Sequence, residues 1–288
     1  MSKNPTLHFI AFLRPFWLLN TAITYALGIA IAQYLGIPLD WNHLLLGSAW
    51  LFSLQLGGHG LDLYFTLPDS VKLNRTINNP SLLAGIAALS ATALITIPIV
   101  RSEILNTSTI LIMILLVGGM GVAIVPPPRL VENMYRELTL SVLGVLLVPA
   151  FGFLLQTGSL HRFVAMSAFP LMLLHIAAQI IFKFPTFARD SLYEKQTILV
   201  RSGWQRGMNI VNILILSAFL LLGLAMLAGL PPSIIWPTFL VFPLALFQIW
   251  YLNRIAAGAK PQWTALSWSA VSIYALTSYL LLFGFLTH

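Results

Sequence analysis

Residues 43–70 read HLLLGSAWLFSLQLGGHGLDLYFTLPDS, an apolar segment that continues into a polar one. The part over 43–65 has the length of a membrane helix, which needs about 20 mostly apolar residues to cross the hydrocarbon core of a bilayer. Asp62 and Asp69 stand where the apolar residues end. The stretch therefore predicts a membrane-spanning helix that leads into a polar loop, with two acidic side chains at the boundary.

The composition of the whole chain also places it in lipid. Of 288 residues, 58% are hydrophobic and 8% are charged, whereas soluble domains have about 25% charged residues. Because so few charges cannot cover a globule with polar surface, lipid must surround most of the molecule. The chain has no cysteine, which excludes disulfides and metal sites built from thiolates.

The chain contains nine apolar stretches long enough to cross a bilayer. Loop signals separate them, among them the triple proline at 126–128 and the pair Pro231-Pro232. None of the stretches alternates apolar and polar residues as a membrane β-strand does. We therefore predict an all-α, polytopic membrane protein with a single domain over residues 1–288, whose spans are approximately 14–35, 43–65, 81–100, 108–127, 137–157, 163–182, 207–230, 233–252 and 263–286.

The placement of lysine and arginine predicts the orientation, because positive residues are enriched in cytoplasmic loops. With the N-terminus inside, thirteen of the 15 basic residues fall in inner segments and only Arg101 and Arg162 fall outside. This split favours cytoplasmic loops after helices 2, 4, 6 and 8 and a location in the bacterial cytoplasmic (inner) membrane. The basic residues are spread over separate loops, which fits contact with anionic lipid headgroups and argues against nucleic-acid binding.

Two polar loops on the predicted inner side are similar to each other. The first, 62–80, follows helix 2, and the second, 183–206, follows helix 6. Each leaves an apolar helix through aromatic residues, reaches an Asp-Ser pair (Asp69-Ser70 or Asp190-Ser191) and then supplies lysine or arginine. This is a weak internal repeat. We expect a helical bundle to bring the two loops together over a shared central cavity.

Short motifs along most of the chain match one known family. LRPFWLLNTAITYALGIAIA (13–32) is similar to its opening helix, and PPPRL (126–130), Glu137-Leu138 and LLQTG (154–158) are similar to its helix 4–5 region. FPTFARDSLYEKQTILVRSG (184–203) is similar to its second polar motif. In order and spacing the chain resembles the UbiA superfamily of intramembrane prenyltransferases, and within it the dihydroxynaphthoate-type members that make menaquinone precursors.

The resemblance implies a nine-helix UbiA-type bundle around a central cavity that is open to lipid. In the family, two aspartate-rich loops bind Mg²⁺ and the diphosphate of a polyprenyl donor, because Mg²⁺ prefers oxygen ligands and bridges to phosphate oxygens. An aromatic acceptor then captures the allylic cation. The matching candidate diphosphate-site residues here are Asp62, Asp69, Lys72, Arg75, Asp190, Glu194, Lys195 and Arg201. The candidate cavity aromatics are Tyr64, Phe65, Phe184, Phe187 and Tyr193.

The first acidic motif departs from the family's pattern, NDxxDxxxD. When the neighbouring residues are aligned, its four named positions hold Asp62, Leu63, Thr66 and Ser70. An alignment with Asp62 as the second aspartate recovers one carboxylate but loses the match of the aromatic residues, and the acidic cluster is intact in neither alignment. In the second loop, Thr186 replaces the leading aspartate and Asp190 is retained. Leucine and threonine cannot replace ionised carboxylates on Mg²⁺. Asp62 and Asp190 are therefore only weak candidates for metal ligands.

Simpler structural roles compete with several of these assignments. Asp69-Ser70 is equally explained as the N-cap of a short loop helix, Asp62 as a cap or as the partner of a basic residue, and Asp190 with Lys195 as a loop salt bridge. The loop aromatics are also explained by closure of the cavity mouth. His59 and His175 are candidate tetrapyrrole ligands, although histidine in an apolar helix more often hydrogen-bonds across a helix interface.

Two functions follow as hypotheses. The first is a catalytically degenerate UbiA-type protein that binds an isoprenoid, quinone or pigment-type lipid in its cavity, needs no metal, and serves as a subunit of a membrane complex. The second is an active prenyltransferase that moves a polyprenyl group from its diphosphate to an aromatic or quinone precursor and uses Mg²⁺. The missing aspartates favour the first hypothesis.

Overall fold

The computed structural model describes residues 15–65, 79–101, 106–125, 135–192 and 197–288. All regular secondary structure in these ranges is helical. The α-helices, numbered in chain order, are α1 (Pro15–Tyr34), α2 (Trp41–Phe65), α3 (Pro80–Arg101), α4 (Thr107–Ile124), α5 (Tyr135–Ser141), α6 (Val148–Thr157), α7 (Arg162–Ile181), α8 (Phe187–Leu192), α9 (Ile198–Ser202), α10 (Trp204–Leu227), α11 (Pro232–Ile235), α12 (Phe242–Ala256) and α13 (Trp263–Thr287).

The described ranges contain eight helical segments that are long and apolar enough to cross a membrane. They confirm an all-helical, multi-pass membrane protein and coincide with eight of the nine predicted spans. The ninth predicted span, 43–65, falls on α2, whose 25 residues are sufficient in length but include Gln55, His59 and Asp62. The count of nine spans and the cytoplasmic N-terminus stay predictions.

Proline interrupts two of the spans. Between α5 and α6 the chain forms a π-helical turn, Val142–Leu147, because Pro149 has no N–H for an intrahelical hydrogen bond. The carbonyl of Gly144 in this turn instead accepts a hydrogen bond of 2.9 Å from the Thr24 hydroxyl on α1. The predicted span 233–252 is likewise divided into α11, a 3₁₀ segment over Trp236–Val241 and α12, with prolines at the start of each piece.

Capping side chains fix several helix ends. Asn106 accepts the backbone N–H of Thr109 at the start of α4, and Thr197 accepts that of Val200 at the start of α9. Gly158 ends α6 in the left-handed conformation, with φ at 71°, which glycine adopts without the steric penalty of a Cβ atom. Each cap satisfies a backbone group that the helix leaves unpaired.

The bundle is built around α1, α6 and α7. Helix α1 packs on α6 and α13, α7 packs on α10 and α13, and α2 packs along α3. In the core, the Trp50 ring lies 5.1 Å from the Phe151 ring, and its indole N–H donates to the Thr96 hydroxyl at 2.9 Å. This packing leaves a cavity between α1, α2, α4, α5 and α7.

Glycine allows α2 and α3 to approach closely. A Cβ atom on Gly60 would lie 2.6 Å from the Cα of Gly85 and 2.7 Å from the carbonyl oxygen of Ser81. Neither neighbour can move aside, because both are backbone atoms. The approach fixes the rotation of α2, since Gly57 and Gly60 must face α3. Small residues serve the same purpose in other membrane helix pairs.

We predict that Gly60→Ala destabilises the protein, because the added methyl group forces α2 and α3 apart. The expected loss in the free energy of unfolding is about 1–3 kcal/mol, the usual result of overpacking. Gly118→Ala is the matched control, since a Cβ atom there meets nothing within 4 Å. Melting temperatures of the two variants in detergent micelles test this, and equal values would contradict it.

A second prediction concerns Asp40 at the start of α2. Its carboxylate accepts the N–H groups of Asn42 at 2.8 Å and His43 at 3.2 Å, and its Oδ2 lies 2.9 Å from Nδ1 of His43. The backbone N–H of His43, followed by the charge of its ring, lowers the pKa of Asp40 from its ordinary 3.8. The ionised carboxylate of Asp40 therefore stabilises the folded protein at pH values above its ordinary pKa. This stabilisation is lost as the pH falls through the lowered pKa.

Asp40→Asn isolates the charge, because asparagine caps a helix as well as aspartate does. The melting temperature of the unmodified protein should exceed that of Asp40→Asn at pH 7, and the difference should shrink as the pH falls below 4. Asp40→Ala, which also loses the cap, should melt below Asp40→Asn at every pH. A difference between the protein and Asp40→Asn that does not change with pH would show that the charge contributes nothing.

Candidate functional site

A cavity of about 350 Å³ lies between α1, α2, α4, α5 and α7. Leucine, methionine, isoleucine and valine side chains form most of its walls, and polar side chains from five segments of the chain also reach it. The lining residues are Trp17, Asn20, Thr21, Leu51, Leu54, Gln55, His59, Asp62, Leu116, Met120, Ile124, Glu137, Leu140, Leu143, Gly144, Val148, Gln179, Lys183 and Thr197. The cavity thus combines an apolar wall, suited to a hydrocarbon tail, with a polar region suited to a head group.

Helix α2 supplies three of the polar groups from one face. Gln55, His59 and Asp62 are spaced by four and three residues, so they lie above one another on the helix. Their exposed fractions are 7%, 7% and 3%. Leu51 and Leu54 line the cavity one turn earlier. Along this face the cavity wall changes from apolar to polar toward the C-terminal end of α2.

Glu137 lines the site, although from the sequence it was identified only as part of a family motif and not as a site residue. It is 6% exposed, lines the same cavity as Asp62, and accepts the backbone N–H of Ile198 at 3.3 Å through Oε2. This hydrogen bond joins α5 to α9, in the second predicted loop. An acidic residue within an apolar span is a functional candidate by default, and that signal was present at the start of the predicted span 137–157.

A second pocket of about 290 Å³ adjoins the cavity and shares Trp17, Gln179 and Lys183 with it. Asp190 lines this pocket together with Arg189. The carboxylate of Asp190 is 3% exposed and accepts the hydroxyl of Thr186 at 2.7 Å. Asp62 and Asp190, the two predicted metal candidates, therefore line neighbouring pockets and not one.

The predicted aromatics do not line the cavity where the structure describes them. Phe184 is buried, with its ring 5.0 Å from Trp204 and stacked 6.1 Å from Trp263. Phe187 packs 5.5 Å from Trp204, and Tyr64 and Phe65 pack on each other at 5.4 Å. The rings of Phe184 and Phe187 thus hold the second loop against α10 and α13. Among the tryptophan, tyrosine and phenylalanine residues that the structure describes, Trp17 on α1 lines the cavity.

His59 and His175 occupy different positions. His59 lines the cavity, whereas His175 lies behind its wall at 1% exposure. Nδ1 of His175 is 2.8 Å from the Ser141 hydroxyl, and its ring packs 5.1 Å from Tyr274 and 5.8 Å from Trp17. Tyr274 in turn donates a short hydrogen bond to the amide oxygen of Asn20. A tetrapyrrole-ligand role for either histidine stays a prediction.

The remaining predicted residues are only partly described. Arg201 lies on α9 with an exposed side chain. Six predicted residues lie outside the described ranges: Asp69, Lys72, Arg75, Tyr193, Glu194 and Lys195.

The described residues do not fit the magnesium site that the resemblance implies. Nowhere in residues 15–65, 79–101, 106–125, 135–192 and 197–288 do three or more histidine or acidic side chains group so that they could hold a metal ion. Asp62 and Glu137 line one cavity, while Asp190 is in the next and is hydrogen-bonded to Thr186. Mg²⁺ needs several oxygen ligands in octahedral geometry, and these acidic side chains are divided between two pockets.

The contact between Glu137 and Ile198 gives a prediction about the second loop. Glu137→Ala should increase hydrogen–deuterium exchange over residues 197–202 by roughly 3- to 10-fold, the equivalent of one lost hydrogen bond. Glu137→Gln is the matched control, since its amide oxygen can accept the same N–H. If both variants exchange as the unmodified protein does, Glu137 does not hold this segment.

No family model matches the chain, and no curated protein matches it. The chain is similar to several solved structures. A structure of digeranylgeranylglyceryl phosphate synthase matches this chain with a TM-score of 0.69 at 15% sequence identity. The alignment covers 97% of this chain and 98% of the synthase chain. A UbiA homologue from Archaeoglobus fulgidus matches with a TM-score of 0.63 at 17% sequence identity, and the alignment covers 95% of this chain and 98% of the homologue.

The same homologue bound to DMAPP and Mg²⁺ has a TM-score of 0.62 at 16% identity, with 95% of this chain and 98% of its own covered. In all three cases the likeness extends over nearly the full length of both chains. The chain has the fold of the UbiA homologues.

Proposed function

We propose that this chain is a member of the UbiA superfamily that binds an isoprenoid-type lipid in its cavity and does not carry out magnesium-dependent prenyl transfer. The apolar wall with one polar region carries this proposal, because it suits a long hydrocarbon tail with a small head. The full-length likeness to a UbiA homologue solved with DMAPP and Mg²⁺ supports the isoprenoid class of ligand. A quinone or a pigment with an isoprenoid tail belongs to the same class.

The charges that line the cavity disfavour prenyl transfer. A prenyl diphosphate carries about three negative charges, and a leaving diphosphate needs cations to stabilise it. The described charged residues that line the main cavity are Asp62, Glu137 and Lys183, two acids and one base. Without a set of ligands that holds Mg²⁺, these residues repel the diphosphate more than they attract it. One lost preorganised contact already lowers a rate by about 10²–10³.

An active prenyltransferase is the second candidate function. The observation that favours it is the convergence of Asp62 and Glu137 on one cavity, with Lys183 shared between that cavity and the pocket of Asp190. In this case the acidic site is rearranged, and Glu137 replaces one of the missing motif aspartates. The substrates are a polyprenyl diphosphate and an aromatic or quinone precursor.

We also propose that the protein works as a subunit of a membrane complex. Helix α3 is the surface where we place the partner, because it is the least buried of the candidate spans among the described residues and only Gly85, Thr92 and Ile99 of its 22 residues are buried within the chain. Its outer side is apolar, with Leu94 and Val100 exposed by 67% and 58%. Isolation in mild detergent tests the proposal, and migration as a monomer without any partner would contradict it.

Activity assays separate the two functions. Purified protein is incubated with polyprenyl diphosphates, aromatic acceptors and Mg²⁺, beside Asp62→Asn, Glu137→Gln and Asp190→Ala variants. We expect no product that depends on Mg²⁺. Product that forms with Mg²⁺ and disappears in the variants would overturn the non-catalytic proposal and establish the transferase.

Lipid extraction tests the binding proposal. We expect mass spectrometry of the purified protein to find an isoprenoid lipid, and Leu116→Trp to remove most of it by filling the cavity. Ile114→Trp is the matched control on the same helix, since Ile114 is 62% exposed and does not line the cavity. Equal amounts of isoprenoid lipid in the two variants would show that the lipid lies elsewhere.

A further inference from the structure

The amide of Gln55 is a buried polar group of the cavity that lacks a hydrogen-bond partner. Gln55 is 7% exposed and lines the cavity. Its Oε1 is enclosed and has no hydrogen-bond partner among the residues that the structure describes. An unpaired amide is unfavourable in a membrane interior, where water does not compensate it. The position therefore calls for a ligand that completes the hydrogen bonding of this amide.

The amide does not by itself decide between a donor and an acceptor on the ligand. Rotation about the last side-chain bond exchanges Oε1 and Nε2, so Gln55 can present either a carbonyl oxygen or an N–H group. A hydroxyl group both donates and accepts a hydrogen bond. It is therefore the simplest head group that satisfies Gln55 in either rotation.

The neighbouring charges narrow the choice of head group further. Asp62 lies two turns from Gln55 on the same face of α2, and Glu137 reaches the same cavity from α5. An ionised carboxylate only accepts hydrogen bonds and has about four positions to do so. An anionic head offers these acids no donor and meets two like charges.

We propose that the lipid bound in the cavity has a neutral head group with a hydroxyl, as in a prenyl alcohol or a prenylated hydroquinone. Its hydroxyl donates its proton to Oε1 of Gln55, the enclosed oxygen that has no partner among the described residues, and its lack of charge avoids repulsion by Asp62 and Glu137. The proposal deepens the proposed function and rests on it, because the tail of the same lipid occupies the apolar wall. It distinguishes this chain from a protein that selects a prenyl diphosphate.

Binding measurements with matched head groups test the proposal. Farnesol, farnesylhydroquinone, farnesyl methyl ether and farnesyl diphosphate share one tail and differ in the head. We expect farnesol or farnesylhydroquinone to bind roughly 3- to 10-fold more tightly than the methyl ether, which lacks the donor, the effect of one net hydrogen bond. Without added Mg²⁺, the diphosphate should bind more weakly than farnesol. Whichever hydroxyl compound binds more tightly identifies the source of the head group.

Two variants locate the effect at Gln55. Gln55→Leu should lower the affinity for the hydroxyl compounds toward that of the methyl ether and leave the affinity for the ether unchanged. Gln248→Leu is the matched control, since Gln248 is 1% exposed, also has unpaired amide atoms, and does not line the cavity. It should bind all four compounds as the unmodified protein does. If Gln55→Leu does not fold, the comparison of alcohol with ether in the unmodified protein still decides.

The outcomes separate the two proposals. If none of the four compounds binds, the proposed function itself fails. If they bind but the ether equals the alcohols, or the diphosphate binds most tightly without added Mg²⁺, lipid binding stands and the hydroxyl head group is refuted. A preference for the alcohols that Gln55→Leu leaves unchanged refutes the assignment to Gln55.

Discussion

Helices α2 and α3 touch through their backbones at Gly60 and Gly85, and much of the cavity depends on this contact. A Cβ atom at Gly60 would meet backbone atoms of α3 at 2.6 to 2.8 Å, so the glycine face of α2 can point only toward α3. The rotation of α2 is thereby fixed. Gln55, His59 and Asp62 turn into the cavity as a result. A different rotation would place an acid and two further polar groups in lipid, which is strongly unfavourable.

The opposite wall is shaped by an irregular helix. The π-helical turn at Val142–Leu147 places Leu143 and Gly144 on the cavity, and the Thr24 hydroxyl pairs with the carbonyl of Gly144. Such turns insert one residue per turn and change which side chains face a neighbouring helix, and they are frequent at functional sites. Beyond the turn, Glu137 connects the cavity to α9 through the N–H of Ile198. The site is thus tied directly to the second polar loop.

Local sequence patterns predicted part of the site and missed another part. Asp62 was predicted because it stands at the end of an apolar segment, and Asp190 because it belongs to an Asp-Ser pair in a loop that matches a family motif; both are buried beside a pocket. Gln55, Lys183 and Thr197 were not assigned to the cavity, because each is unremarkable within its own segment. Phe184 and Phe187 were expected at the cavity but pack on Trp204. Aromatic rings satisfy a protein core as well as a ligand, so residue type alone cannot separate the two.

The sequence by itself determined the class of the protein and the position of its helices. Low charge and long apolar segments predict membrane helices, because backbone polar groups in lipid must be hydrogen-bonded within a helix or a closed barrel, and no segment alternates as a barrel strand does. Only the tertiary structure decided which face of each helix lines the cavity. Membrane helices are apolar on their lipid side and their protein side alike, so periodicity does not reveal the inner face as it does in water-soluble proteins. Close packing between helices distant in sequence makes that choice, and it brings Asp62 and Glu137 to the same cavity.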